Sequence, residues 1–212
     1  MLPVFRTVKQ ASEVKLEIIK SLFIAYVTPV DTEAAAISFV QDIKKRHKEA
    51  NHNCSAYVIG QHGQYQKADD DGEPGGTAGK PILEVLNKSG VKNTVIVVTR
   101  YFGGVKLGAG GLIRAYTKAA ADGLAAAHII EKQLHTRLAI ELSYHLLGTV
   151  ENQLRLNNYP IEAKEFGEVV KIVALVRKGN EDKLIHLIAD ATAAQAQVQS
   201  IGELYLDAVS ET

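Results

Sequence analysis

The sequence predicts an α+β protein with two domains, and three observations lead to this prediction. Apolar residues recur at strand spacing in some segments and at helix spacing in others. The net charge changes sign along the chain: residues 1–133 carry 17 Lys and Arg against 13 Asp and Glu, and residues 134–212 carry 7 against 11. The second part has the element order β-α-β-β-α-β over about 75 residues, which is typical of a ferredoxin-like domain. We therefore place the domain boundary near Gln133, with domains at 1–133 and 134–212.

The first domain is predicted to combine strands with three helices. Alternating or continuous apolar residues predict the strands, at 4–10, 13–19, 22–27, 55–59 and 94–99. Apolar residues at helical spacing predict the helices, at 32–49, 82–88 and 112–127. Asp31 is the expected N-cap of the first helix, because its side chain can accept hydrogen bonds from the free backbone amides there.

The second domain is predicted from the change of pattern after Gln133. Strands are expected at 135–142, 161–166, 169–177 and 198–206. Helices are expected at 148–158 and at 181–193, the second opened by Asn180. The order of these six elements leads to the ferredoxin-like prediction.

Composition limits the class of protein. The chain is 46% hydrophobic and 23% charged, which is ordinary for a globular protein and excludes a disordered, fibrous or disulfide-scaffold chain. The single cysteine, Cys54, cannot form an internal disulfide, which fits a reducing compartment. No apolar run approaches the roughly 20 residues needed to cross a bilayer, and the first ten residues lack a signal-peptide core. We therefore expect a cytoplasmic protein without membrane contact, in which Cys54 is a small buried residue.

Residues 69–81, DDDGEPGGTAGKP, form the first candidate site. Asp70, Asp71 and Glu73 are the candidate metal ligands, because clustered carboxylates suit Mg²⁺ better than zinc. Lys80 is the candidate phosphate ligand of this loop. The backbone amides expected to face an anion are those of Gly75, Gly76 and Gly79. A solvated acidic turn, whose glycines adopt positive φ, explains the same residues and stays open as the alternative.

Residues 100–114 form the second candidate site. Here a strand ends in a glycine-rich loop that leads into a helix, and the free amides and dipole of a helix start attract anions. The cations add donors suited to phosphate, and Tyr101 and Phe102 offer faces for stacking on bases. The residues predicted to bind phosphate or nucleic acid are Arg100, Tyr101, Lys106, Gly108, Gly110, Gly111 and Arg114. Close packing of helix on sheet, with the aromatic residues in the core, is the alternative explanation.

Three familiar motifs do not fit the sequence. A P-loop begins with glycine, where this sequence has Pro74, and ends with serine or threonine, where it has Pro81. The dinucleotide fingerprint fails because Ile113 occupies its last glycine position. Zinc sites use ligands in closely spaced pairs. The candidate zinc ligands of this sequence lack that spacing, and they are His47, His52, Cys54 and His62.

Three segments resemble the YigZ/IMPACT family: HNCSAY at 52–57, DDDGEPGGTAGKPIL at 69–83 and VTRYFGGVKLGAGGLIRAY at 98–116. These segments are long and specific, and they cover the core of the first domain. The second half is similar to the small domain that follows in bacterial members. The sequence departs from the family pattern at Asp69, where serine is common, and at Ser55, where an aromatic residue is common.

The resemblance implies a ribosomal-protein-S5-domain-2-like α/β fold for the first domain and a ferredoxin-like fold for the second. Both are related in shape to the end domains of the ribosomal translocase. The resemblance also implies a link to translation, because eukaryotic relatives regulate translation initiation by competing for a partner of a stress kinase. They use additional domains that find no counterpart in this sequence, so that partner is not carried over to it.

Two functions follow from the sequence. We favour a binding protein of the translation apparatus, whose Gly-rich basic surface holds phosphates of RNA or the ribosome and whose acidic second domain contacts a protein or orients the first domain. The alternative is a Mg²⁺-dependent enzyme acting on a phosphorylated small molecule or nucleotide. In that enzyme Asp70, Asp71 and Glu73 hold the metal, and Lys80 or Arg100 contacts the phosphate. Binding is preferred to catalysis because no general base or nucleophile can be assigned.

Overall fold

A computed structural model describes residues 2–208 and divides the chain into two compact units. The first unit consists of Leu2 and Val4–Glu131, and the second of Pro3 and residues 132–208. Helices and antiparallel strands are present in both units, which confirms the predicted α+β class. No helix in the described part of the chain is long and apolar enough to cross a membrane.

The first unit is built around an antiparallel sheet with the strand order β2-β3-β6-β4-β5. Its elements in chain order are β1 (Val4–Val8), β2 (Ser12–Ile18), β3 (Ser21–Pro29), α1 (Glu33–Arg46), β4 (His52–Ile59), β5 (Tyr65–Asp69), α2 (Gly79–Ser89), β6 (Thr94–Tyr101) and α3 (Gly108–Ala126). Helices α2 and α3 pack on one face of the sheet, and α1 packs on the other. The central strands β4 and β6 are therefore buried almost throughout.

Side chains along β6 alternate between the two cores of this unit. Ile96 and Val98 pack with residues of α2 and α3, whereas Val97 packs with residues of α1. Because successive side chains of a strand point to opposite faces, Arg100 continues the first series and Tyr101 continues the second. This register decides which side chains at the end of β6 reach the candidate site.

Three details of the first unit differ from the sequence prediction. Thr32, and not Asp31, caps α1, because the Thr32 side-chain oxygen accepts the Ala35 amide at 3.2 Å. The sequence does not predict β5, whose residues YQKAD are mostly exposed and lack an apolar alternation. Helices α2 and α3 begin at Gly79 and Gly108, earlier than predicted, because glycine in a first turn hides the start from a search for helix formers.

The second unit has the predicted element order β-α-β-β-α-β. Its elements are β7 (Ile129–Leu142), which starts just before the division, a 3₁₀ turn (Tyr144–Leu146), α4 (Leu147–Leu156), β8 (Ile161–Phe166), β9 (Val170–Arg177), α5 (Glu181–Thr192) and β10 (Gln197–Asp207). The strands pair antiparallel in the order β8-β9-β7-β10. Leu138 and Ile172 of this sheet share one core with Leu154 of α4 and Ile188 of α5.

Candidate phosphate-binding site

A cleft lies in the first unit where the loop after β5 meets the end of β6 and the start of α3. Its volume is about 450 Å³. Both candidate segments contribute to its lining, so the structure joins them in one site. Residues that line the cleft include His52, Glu73, Arg100, Phe102, Lys106 and Gly108.

Arg100 and Glu73 form a buried ion pair in the wall of this cleft. Arg100 is 5% exposed, and its Nη1 donates to Glu73 Oε1 at 2.7 Å. The Tyr116 hydroxyl donates to the same carboxylate oxygen at 2.7 Å. The Nε–H of Arg100 is buried and has no acceptor in the described part of the chain. The charge of the guanidinium is therefore balanced within the protein, while one of its N–H groups is left without a partner.

The thiol and hydroxyl behind Glu73 are held in their neutral forms. Cys54 is fully buried, and its Sγ lies 3.0 Å from the carbonyl oxygen of Asp70 and 3.3 Å from the Tyr116 hydroxyl. Burial raises the pKa of the Cys54 thiol. Burial, together with the neighbouring Cys54 and Glu73, also raises the pKa of Tyr116. The expectation that Cys54 is a small buried residue is confirmed.

The glycine-rich loop directs its amides to Asp70 and not to the cleft. The Asp70 carboxylate accepts hydrogen bonds from the amides of Gly76, Ala78 and Gly79 at 2.7, 3.0 and 2.7 Å. Partial burial alone would raise the pKa of Asp70, but these three bonds outweigh it and lower the pKa. The expectation that the Gly76 and Gly79 amides face an external anion is wrong, because an internal carboxylate already occupies them.

The three acidic residues expected to bind Mg²⁺ do not converge on one point. Asp70 faces the loop amides, and Glu73 pairs with the buried arginine. Asp71 accepts hydrogen bonds from Lys44 Nζ at 2.7 Å and from the Asn53 amide at 2.6 Å. In the part of the chain that the structure describes, no group of three or more His, Cys, Asp or Glu is placed to hold a metal ion. Asp70, Asp71 and Glu73 therefore each have a hydrogen-bonding partner of their own within the protein.

The start of α3 reaches the cleft without a side-chain cap. The helix begins at Gly108, whose φ of +70° is a left-handed conformation that favours glycine, and Leu107 at the N-cap makes no side-chain capping bond. Lys106 is exposed, and it makes no ion pair with any described residue. The free amides of the first helical turn, the helix dipole and Lys106 together make this end of the cleft positive.

Of the two aromatic residues expected to stack on bases, only Phe102 lines the cleft. Phe102 is 44% exposed, and its ring centroid lies 5.4 Å from the guanidinium carbon of Arg100. Tyr101 belongs to the other face of β6, where its hydroxyl lies 2.8 Å from Nδ1 of His47. The prediction of Tyr101 as a stacking residue of this site is therefore corrected by the strand register.

Four more of the predicted site residues lie outside the cleft lining. Lys80 and Arg114 are exposed on α2 and α3 respectively. Gly110 and Gly111 belong to the first turn of α3, where their contribution is the backbone of the helix start. The structure therefore brings together Arg100, Lys106 and Gly108 of the predicted phosphate ligands.

His52 is a cleft residue that the sequence does not assign. Its Nδ1 lies 2.9 Å from the carbonyl oxygen of Asp71, and its Nε2 lies 3.8 Å from Glu73 Oε2. His52 is the first residue of the HNCSAY segment, but the neighbouring sequence does not indicate that it lies at the cleft. The pairing of β4 with β6 sets His52 opposite Arg100, and this long-range register brings it to the site.

Comparison with known proteins provides the family. Residues 19–124 match the Impact N-terminal domain, and residues 140–195 match a domain of unknown function, DUF1949. The IMPACT family member YvyE of Bacillus subtilis (strain 168) is 44% identical over 208 residues, which cover 98% of this chain and 95% of that protein. The chain belongs to the IMPACT family.

Other similarities extend from bacteria to yeast. The IMPACT family member YigZ of Escherichia coli (strain K12) is 40% identical over 137 residues, which are 64% of this chain and 67% of that protein. The IMPACT homolog of Saccharomyces cerevisiae is 37% identical over 93 residues, which are 42% of this chain and 35% of that protein. A crystal structure described as that of a hypothetical protein aligns with a TM-score of 0.63 at 31% identity, covering 95% of this chain and 99% of that one.

Proposed function

We propose that this IMPACT family protein is a translation-associated RNA-binding protein, and that the cleft of its first unit holds a phosphate of RNA, free or in the ribosome. Family membership supports the link to translation, because the resemblance implies a role in translation initiation for the eukaryotic members. The chemistry of the cleft supports phosphate as the group that is held. Lys106, Gly108 at the start of α3 and Arg100, whose Nε–H is buried and unpaired, all belong to its lining residues.

The observation that carries this proposal is the buried donor without an acceptor. The Nε–H of Arg100 is unpaired among the described residues and belongs to a side chain that lines the cleft. A buried hydrogen bond left unmade costs about 1–3 kcal/mol, so such groups are rare, and an acceptor on a bound ligand would remove this cost. A phosphate oxygen would accept this hydrogen bond and would also meet the positive end of the α3 dipole.

The attraction for phosphate does not depend on the net charge of Arg100. Glu73 balances that charge, so the net positive charge at the cleft comes from Lys106 and from the helix start. An exposed lysine without an acidic partner keeps its charge for an incoming anion. RNA suits such a site because it presents a phosphate at every nucleotide, and residues 1–133, with 17 basic against 13 acidic side chains, have the complementary sign.

The remaining sequence expectations join this proposal. The element order of the second unit supports a ferredoxin-like fold for it, and the family supports an S5-domain-2-like fold for the first unit. The excess of acidic residues in 134–212 supports a protein as the partner of the second unit.

The experiment that tests the proposal measures RNA and ribosome binding across a salt series. Affinity should fall linearly on a plot of log K against log salt, because binding releases counterions from the phosphates. Lys106→Ala should weaken binding and make the slope shallower by about 0.7–1, the loss expected for one phosphate contact. Lys106→Glu should weaken binding further.

The matched control is Lys88→Ala, which removes an exposed lysine of the same unit outside the cleft lining. This variant should bind with the wild-type slope. Arg100→Ala is unsuitable as the primary test because it also removes a buried ion pair. Equal salt dependence of wild type and Lys106→Ala would contradict the proposal.

A further inference from the structure

A phosphate explains only one end of the cleft. Its other lining residues are largely apolar and include Pro74, Phe102, Leu107 and Leu112. A site for inorganic phosphate, or for a bare stretch of RNA backbone, does not need such a surface. An apolar wall beside an anion-binding end is the arrangement expected for a phosphate that carries a flat organic group.

Phe102 is the residue best suited to contact that group. Phe102 is 44% exposed, and the Arg100 guanidinium carbon lies 5.4 Å from its ring centroid. The Phe102 amide donates to the Asn51 side-chain oxygen at 2.7 Å, which fixes the backbone under the ring. A fixed, exposed aromatic ring beside a phosphate-binding donor offers a stacking face for a nucleobase.

The size of the cleft is sufficient for one nucleotide. Its volume of about 450 Å³ lies toward the lower end of the range of small-molecule sites, which is roughly 300–1,000 Å³. We propose that the cleft binds a single nucleoside phosphate, whose phosphate contacts Lys106 and the start of α3 and whose base stacks on Phe102. This inference rests on the proposed function, since both use the same phosphate-binding end. The ligand is either a free nucleotide or the phosphorylated end of an RNA chain, which share this chemistry.

The test is a calorimetric titration of the whole protein with adenosine monophosphate, uridine monophosphate and inorganic phosphate. The two nucleotides should bind about tenfold or more tightly than inorganic phosphate, because only they add a stacked base. Phe102→Ala should remove that advantage and leave the affinity for inorganic phosphate unchanged, whereas Phe102→Tyr should retain it. Phe166→Ala, which removes an exposed phenylalanine of the second unit, should bind nucleotides like the wild type.

Nucleotide binding no tighter than phosphate binding, or unchanged in Phe102→Ala, overturns the inference. RNA binding that depends on Lys106 would in that case leave the proposed function standing. Absence of RNA binding at low salt overturns the proposed function, whatever the nucleotides do. Competition with a short RNA, with and without a terminal phosphate, separates the two sources. Stronger competition by the phosphorylated RNA assigns the site to an RNA end, and equal competition assigns it to free nucleotides.

Discussion

Replacement of Glu73 by alanine is the perturbation that tests the architecture of the cleft most directly. The substitution leaves the Arg100 guanidinium buried without its counter-charge, since the carboxylate that it contacts at 2.7 Å is gone. It also removes the acceptor of the Tyr116 hydroxyl, which lies 2.7 Å from the same oxygen. The cost is therefore that of an unpaired buried charge and not that of a surface contact.

The expected loss in the free energy of unfolding is about 3–5 kcal/mol, the range for a buried pair from which one partner is removed. We expect the upper part of this range because the hydroxyl of Tyr116 loses its acceptor as well. Domains of this size are stable by about 5–15 kcal/mol, so the variant should still fold. Replacement of both charges, as in Glu73→Leu with Arg100→Met, should restore part of the loss, because no unpaired charge remains.

The assay is native-state hydrogen exchange of the β6 amides, which measures opening of the unit that contains the pair and avoids assuming a single unfolding transition for the whole chain. The matched control is Glu84→Ala. The exposed carboxylate that it removes lies 3.8 Å from Lys88 Nζ and should contribute at most about 1 kcal/mol to the free energy of unfolding. If the β6 amides are protected from exchange equally well in Glu73→Ala and in Glu84→Ala, the reasoning from a buried ion pair is refuted.

Three further predictions concern the glycine-rich loop and its neighbours. Asp70→Asn should lower the free energy of unfolding by about 1–2 kcal/mol at neutral pH. Because folding lowers the pKa of Asp70, its stabilising contribution is complete above the unfolded pKa near 3.8 and disappears as the pH falls through the lower folded pKa. The urea unfolding curves of the two proteins should therefore converge in acid. Gly79→Ala should lower the free energy of unfolding by about 1–3 kcal/mol in the same assay, because its Cβ would lie 2.6 Å from the Asp69 amide nitrogen. Gly75→Ala is the control and should be nearly neutral, because nothing lies within 4 Å of its added Cβ. Equal effects of the two substitutions would contradict the close approach at Gly79. Cys54, buried and with a raised pKa, should resist iodoacetamide in the native protein and react fully in guanidinium, as mass spectrometry would show; rapid native alkylation would disprove its burial.

The order of elements follows from local patterns of apolar residues, because those patterns determine which face of a helix or strand is buried. The second unit illustrates this: its six main elements appear in the predicted order, although β7 begins at Ile129, six residues before the predicted start. Strand β5 could not be predicted in this way, because it is an exposed edge strand that pairs with β4 and has no alternation of apolar residues. The cap of α1 escapes it as well, since Asp31 and Thr32 are both good capping residues and only the backbone geometry selects between them.

The candidate site was predictable as two segments but not as a set of contacts. The glycines and carboxylates of the loop indicate that amides and acids lie close together, but not that Asp70 would accept the amides itself. Likewise the sequence indicates cations after β6, and the position of Glu73 does not reveal that it faces Arg100. These contacts depend on how distant segments meet, and a shift of one residue in β6 would exchange Arg100 and Tyr101.

The acid in the wall of the cleft bears on which anions the site selects. Glu73 holds Arg100 in place, but its negative charge also opposes any phosphate that approaches the free N–H of that arginine. A small anion receives little in return, because Lys106 is exposed and its attraction is screened by salt. A ligand that adds a stacked ring on Phe102 gains a contact that neither Glu73 nor salt diminishes. The preference for nucleotides over inorganic phosphate that we propose therefore depends on stacking at Phe102, because Glu73 opposes the phosphate of both ligands equally.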